Sequence, residues 1–277
     1  MEYVEQLIEA GRPELAEMLK RAWKNAIVFC EKEELNGKEI PVGASKIGGF
    51  PDLPPEIEYP EMSGFKRTWL WGQMKGEVEI VPESAMQLMA QINLYELAES
   101  GADIEQLLPK TGMLYFFYGH YGCDVFEEDN SPNPYDKVEV DTPEKAQIAK
   151  VIYWDGDMTT LYRTEPKLPY CDGVMPCLEK ETAIDFCAED NYDIELLDDY
   201  EEICEILDIE KYDLISIDDK LLGVPWTVNP PYMSNDEVNL FQMGDDEGSV
   251  VSDFWAIEKQ ALADMNFSAA RFWEDVD

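Results

Sequence analysis

The sequence predicts a mainly β protein of the α+β class, with antiparallel sheets and peripheral helices. Three observations carry this. Short apolar, aromatic or β-branched runs recur at Ala26–Cys30, Met86–Asn93, Met113–Tyr118, Lys150–Trp154, Val238–Met243 and Val250–Ile257, which is how strands read. Glycine and proline turn signals, such as Asn36-Gly37, Gly48-Gly49 and Leu222-Gly-Val-Pro225, punctuate the stretches between them. Finally, 277 residues that are 45% hydrophobic and 12% aromatic suffice for a large core and exclude disorder.

In chain order, a short helix is expected at 2–10, stopping at Gly11. A second, at 13–24, starts with Pro13 in its first turn, where the missing N–H costs nothing. Leu15, Met18, Leu19, Ala22, Trp23 and Ala26 recur behind it at helical spacing. The Ala26–Cys30 strand then turns at Asn36-Gly37, both of which tolerate positive φ. Prolines 51, 54, 55, 60 and 82 make the next stretch read as an ordered loop pinned by Trp69 and Trp71. After it come the strands named above, with helical turns at Leu94–Glu99 and Asp103–Leu108.

The charge is the most informative number. Sixty Asp and Glu against 21 Lys and Arg give −39. Such a surface repels phosphate backbones and anionic lipid heads and attracts basic proteins. Nucleic acid and membrane are therefore not expected partners; a basic protein is. Residues 185–219 hold fifteen of the acids and a single Lys. Tyr200, Ile203, Cys204 and Leu207 fall there at helical spacing, so the block reads as an acidic surface helix rather than a tail. Asp198, Asp199, Glu201 and Glu202 are the protein-binding candidates. No basic n-region with an apolar run opens the chain, so a cytoplasmic location with free thiols is expected.

Chemistry-bearing motifs are sparse. His120 is the one histidine. With Cys123 it could form a nucleophile–base pair, but such sites draw the two groups from different elements, so the segment reads as a loop. No Cys-x-x-Cys, calcium loop or phosphate-binding glycine motif occurs, so no metal and no cofactor is expected. Gln91 and Gln242 stand out. A glutamine in a buried strand must satisfy three or four hydrogen-bonding sites. It either fixes a nearby loop, Gly49–Pro51 or Gly223–Pro225, or faces a pocket. Gly48, Gly49, Pro51, Asp52, Trp71, Gln91, Asn93 and Gln242 are accordingly the ligand or loop-fixing candidates.

The same features recur in order along the chain. A Gly-x-Pro turn, a strand bearing Gln and a glycine-led aromatic strand appear around 48–118 and again around 222–257. The expected organisation is an N-terminal helical segment, 1–25, followed by a single domain, 26–277. That domain would be a duplication of 26–165 and 215–277, with an acidic insertion at about 171–220. These residues also resemble a known family. Ser45–Pro54, Ala90-Gln-Ile-Asn-Leu94, Gly112-Met-Leu-Tyr-Phe-Phe117, Leu222–Pro225, Leu240-Phe-Gln242 and Asn266-Phe-Ser268 resemble the landmarks of the bacterial YwqG-like proteins. The family's usual second Gly is Val224 here, and its Asp is Asn266. The resemblance implies a mostly β fold built by duplication and implies no activity.

The expected function is non-catalytic binding of a basic protein, of immunity or adaptor type. The alternative is a small-molecule-binding protein or enzyme with its pocket near the Gly48–Pro55 loop and Gln91. The oligomeric state is left open.

Overall fold

The computed structural model describes residues 2–32, 35, 38–71, 74–119, 139–140, 148–171, 178, 180–227, 233–244 and 251–276. Asn36-Gly37, His120, Cys123 and Cys177 lie outside these residues.

Helices α1 (Glu2–Glu9) and α2 (Pro13–Ala22) lead into strand β1 (Trp23–Glu31). Then come β2 (Lys46–Ile47), β3 (Asp52–Leu53), β4 (Glu61–Met62), β5 (Phe65–Trp71), β6 (Met74–Val81), β7 (Ser84–Ala85) and β8 (Gln87–Asn93). Helix α3 (Leu94–Ser100) precedes β9 (Met113–Tyr118), β10 (Glu139–Val140), β11 (Ala149–Trp154) and β12 (Tyr162–Arg163). The chain continues with β13 (Thr182–Tyr192), α4 (Tyr200–Leu207), β14 (Lys220–Leu222), β15 (Glu237–Gly244), β16 (Val251–Glu258), α5 (Lys259–Ala263) and β17 (Arg271–Val276). The fold is mainly β, and every strand pairing is antiparallel.

Three local expectations are corrected. The proline-rich stretch is not simply a loop: β5 and β6 form a hairpin, paired from Phe65↔Val81 to Trp71↔Met74. Pro60 and Pro82 bracket it, so neither removes a donor from its ladder, and Thr68, Trp69, Val78 and Ile80 between them are strand formers. At Asp103–Leu108 there is a turn in place of a helix. The Asp103 carboxylate accepts the Leu107 and Leu108 N–H groups at 3.1 and 2.9 Å, giving the backbone a local alternative to helical bonds. The acidic block opens as strand. Ile184 and Phe186 are buried while Asp185 and Cys187 are exposed, a period of two that only a strand satisfies. Helix α4 begins after it.

The chain divides into two compact units: unit 1 is residues 1–32, 94–111 and 184–277, and unit 2 is residues 33–93 and 112–183. In unit 2 the main ladder runs β11-β9-β8-β2-β13, with Thr182 and Ala183 supplying the β13 pairing. Its core gathers Leu53, Met62, Leu88, Tyr115 and Phe117. In unit 1 the ladder runs β13-β1-β14-β15-β16-β17, through the β13 residues from Ile184 onward. Phe241, Trp255 and Phe272 pack in tilted pairs across its last strands, with ring centroids 5.1 and 4.8 Å apart. Val4, Leu7, Leu15 and Leu19 of the first two helices pack on Ile203, Leu207 and Tyr192. Among the described residues no helix is long and apolar enough to cross a membrane.

Candidate functional site

Two Gly-x-Pro loops organise the polar chemistry, one in each unit. In unit 2, β2 is followed by Gly48 and Gly49, both at φ +66°. A Cβ on Gly48 would lie 2.9 Å from the Leu178 carbonyl oxygen, and one on Gly49 would lie 2.7 Å from a Glu181 oxygen. Glycine is thus required here both by backbone conformation and by space.

The loop is held by Gln91 of β8. Its Oε1 accepts the Asp52 N–H at 2.7 Å, and its Nε2 donates to the Ala44 carbonyl at 2.8 Å and to Asp52 Oδ2 at 2.9 Å. Buried Asp52 accepts in addition the Gly43 N–H at 2.8 Å and Arg163 Nε at 2.7 Å. Arg163 continues to Glu181 at 2.9 Å, and Glu181 takes Lys46 Nζ at 3.0 Å. Lys46 Nζ is fully buried and also donates to the Phe50 carbonyl at 2.5 Å. Burial pushes its pKa down. Tyr115 donates to the Asp52 carbonyl at 2.6 Å, and Asn93 Nδ2 donates to the Gly43 carbonyl at 2.8 Å. Two cations and two carboxylates therefore close on one another with their polar atoms occupied. Pro51 accepts the Thr164 N–H at 2.9 Å. Trp71 contributes its backbone to β5.

In unit 1, Leu222 and Gly223 take φ +59° and +70° at the matching place, where β14 ends. Gln242 of β15 accepts the Trp226 N–H at 2.8 Å, as Gln91 accepts the N–H of the residue after Pro51. The registers also match. Lys46 lies opposite Gln91, and Gln91 opposite Tyr115. Lys220 lies opposite Gln242, and Gln242 opposite Phe254. Both glutamine strands carry an irregularity just before the glutamine, between Leu88 and Ala90 and between Asn239 and Phe241. The difference is Trp226, which stands where unit 2 has Asp52. Among the described residues, Gln242 Nε2 and Asn239 Oδ1 are buried without a hydrogen-bond partner.

This second loop lines a cleft of about 1060 Å³ within unit 1, together with parts of 105–109, 193–196, 233–239 and 259–265. Leu107, Leu196 and Met265 line it while 40%, 55% and 53% exposed. Glu105, Asp193 and Glu195 are among the acids around them. Lys211 Nζ lies 5.9 Å from the centre of the Trp226 ring.

Residues 45–275 match the model of a family described as Domain of unknown function (DUF1963). The chain belongs to this family. The match takes in both Gly-x-Pro loops, both glutamines and the acidic block. A search of curated proteins returns no match.

In this DUF1963 domain the acidic candidates sit at the start of α4. Asp198, Asp199, Glu201 and Glu202 are all exposed. Glu202 is engaged by the Arg12 guanidinium, which also bonds Glu14 at 2.5 Å, and that bond holds the Glu202 carboxyl below its usual range. No hydrogen bond or ion pair from a described side chain neutralises Asp198, Asp199 or Glu201. Among the described residues, no group of three His, Cys, Asp or Glu side chains converges as metal ligands do. Sequence reasoning missed Arg163 and Glu181, which lie 111 and 135 residues from their partners Asp52 and Lys46. It also missed the cleft, since the four stretches that join the loop around it are scattered along the chain.

Proposed function

We propose that this DUF1963 protein is a cytosolic, non-catalytic binding protein of immunity or adaptor type, which captures a basic protein through the acidic face of unit 1. The observation that carries this is the chain from Asp193 to Glu202. Its first residues line a cleft together with exposed apolar side chains, and the next turn presents Asp198, Asp199 and Glu201, which no described side chain pairs. An apolar centre with a charged rim is the anatomy of a protein interface, and a net charge of −39 steers a basic partner toward it.

The reading of the Gly48–Pro55 loop as a ligand pocket has less support, because Asp52, Gln91, Arg163, Glu181 and Lys46 are spent on one another. These residues are better read as a clamp that shapes the loop. The matching registers and loop bonds support reading 26–165 and 215–277 as duplicated copies, in which the Gly49–Pro51 loop is internally saturated and the Gly223–Pro225 loop stands open on the unit 1 cleft. The order of its motifs supports reading the chain as similar to the YwqG-like proteins.

The test is affinity capture from the native cell lysate at low and moderate salt, with the wild type and with Asp198→Lys/Asp199→Lys/Glu201→Lys. The reading predicts basic proteins that elute with salt and are lost from the variant. An identical captured set for both removes α4 from the interface.

A further inference from the structure

We propose that Cys30 and Cys187 are a peroxide-sensitive dithiol that closes into a disulfide between strands β1 and β13. This pairing follows from strand geometry and is independent of the binding role proposed above. The two strands pair antiparallel, with Val28 opposite Cys187 and Cys30 opposite Asp185. Residues directly opposite one another share a face, so the two cysteines lie diagonally on the same face. Their sulfurs are 3.0 Å apart, with the Cys30 thiol donating to Cys187 Sγ. Cys187 is exposed and Cys30 is half-buried. The other described cysteines differ. Cys204 packs against the helical core of unit 1, and Cys171 packs against the core of unit 2.

Closing the gap to the ~2.05 Å of a disulfide requires a movement of about 1 Å. Rotation of both side chains together with a local shift of the strand end supplies it, since Cys187 is exposed and Cys30 stands next to the last residue of β1. The hydrogen bond to Cys187 and burial, with Asp185 and Asp218 nearby, push the Cys30 thiol up to about 11. Cys30 therefore keeps its proton at neutral pH, and exposed Cys187 is the sulfur that meets the oxidant.

The step balances with hydrogen peroxide as the two-electron acceptor. The Cys187 thiolate attacks one peroxide oxygen, the O–O bond breaks and hydroxide leaves, giving a sulfenic acid. Cys30 then loses its proton and attacks the Cys187 sulfur. The S–S bond forms as the S–O bond breaks, and the hydroxide takes up a proton. Two thiols and one peroxide become one disulfide and two waters.

The test uses the full reduced chain, treated with equimolar hydrogen peroxide, alkylated and digested with trypsin. Cleavage after Lys24, Lys32, Lys180 and Lys211 places Cys30 on peptide 25–32 and Cys187 on peptide 181–211. The expected product is the cross-linked pair of these peptides, with fragment ions locating the bond at Cys187 and not at Cys204. In Cys30→Ser, the cross-link is lost and dimedone, a sulfenic-acid probe, labels Cys187. In Cys187→Ser, Cys30 stays alkylatable. Cys30 remaining alkylatable in the wild type while Cys187 oxidises would overturn the proposal, as would pairing of Cys187 with a different cysteine.

Discussion

Replacing Gln91 and Gln242 separately by Leu should give unequal losses of stability, although the two residues hold matching positions. Gln91 satisfies two buried backbone groups, the Asp52 N–H at 2.7 Å and the Ala44 carbonyl at 2.8 Å. Leu is close in volume, so the loss is mainly the stranding of those groups, at ~1–3 kcal/mol each, or about 2–6 kcal/mol together. The Asp52 carboxylate loses one donor and keeps Gly43 and Arg163. Gln242 satisfies one backbone group, the Trp226 N–H at 2.8 Å, while its own Nε2 has no partner among the described residues. Removing that amide relieves a buried, unpaired donor and offsets part of the loss. Gln242→Leu should therefore cost about 0–2 kcal/mol. Urea unfolding followed by tryptophan fluorescence measures both, with Gln91→Glu as a variant that keeps the acceptor oxygen and loses the donor. Equal losses, or a larger loss at Gln242, would refute the reasoning that unit 2 holds a saturated clamp and unit 1 a partial one.

Three further outcomes follow from the same structure. Asp253 is buried beside Glu274 and Asp219, and desolvation, then those charges, push its pKa well up. Its folded pKa exceeds its unfolded one, so its contribution to stability is intact below pH ~3.9 and is lost as the pH rises through the range between the two values. Asp253→Asn should raise stability at pH 7 and flatten the pH dependence of the melting temperature; no gain at pH 7 would contradict it. Gly48→Ala should cost at least ~1–2 kcal/mol from its left-handed backbone alone, with more from the Leu178 carbonyl 2.9 Å from the added carbon, and a melting temperature equal to wild type would refute the steric argument. With a net charge of −39, moderate salt at pH 7 should raise the melting temperature by screening repulsion, and a flat or falling value would mean that local ion pairs outweigh it.

How much of this was legible depends on the range of the interactions. Met113–Tyr118 was readable to the residue because a six-residue apolar and aromatic run led by Gly112 is too short for a helix and reads as a covered strand, and all six are buried. The β5–β6 hairpin was hidden by its flanking prolines, which signal irregular backbone yet here only mark its ends. Gln91 and Gln242 stood out as polar residues in apolar runs, which told that something must bond them. What that is lies across the sheet. The Asp52–Arg163–Glu181–Lys46 cluster, the unit 1 cleft and the Cys30–Cys187 contact join residues far apart in sequence, so no local pattern carries them. The acidic block misled in part. Its charge dominates the composition, while the alternation of Ile184, Asp185, Phe186 and Cys187 that makes it a strand occupies only a few residues.

The measurement that bears most directly on the central claim is the association rate between the purified protein and a basic partner recovered by capture, followed by stopped-flow fluorescence across a salt series. Trp226 lines the unit 1 cleft and supplies a signal there. The account predicts a rate that falls steeply with salt. Asp198→Lys/Asp199→Lys/Glu201→Lys should slow association more than it speeds dissociation, and Leu196→Asp should mainly speed dissociation. Rates indifferent to salt and to all four substitutions would contradict the claim that the acidic face of unit 1 is where this protein binds.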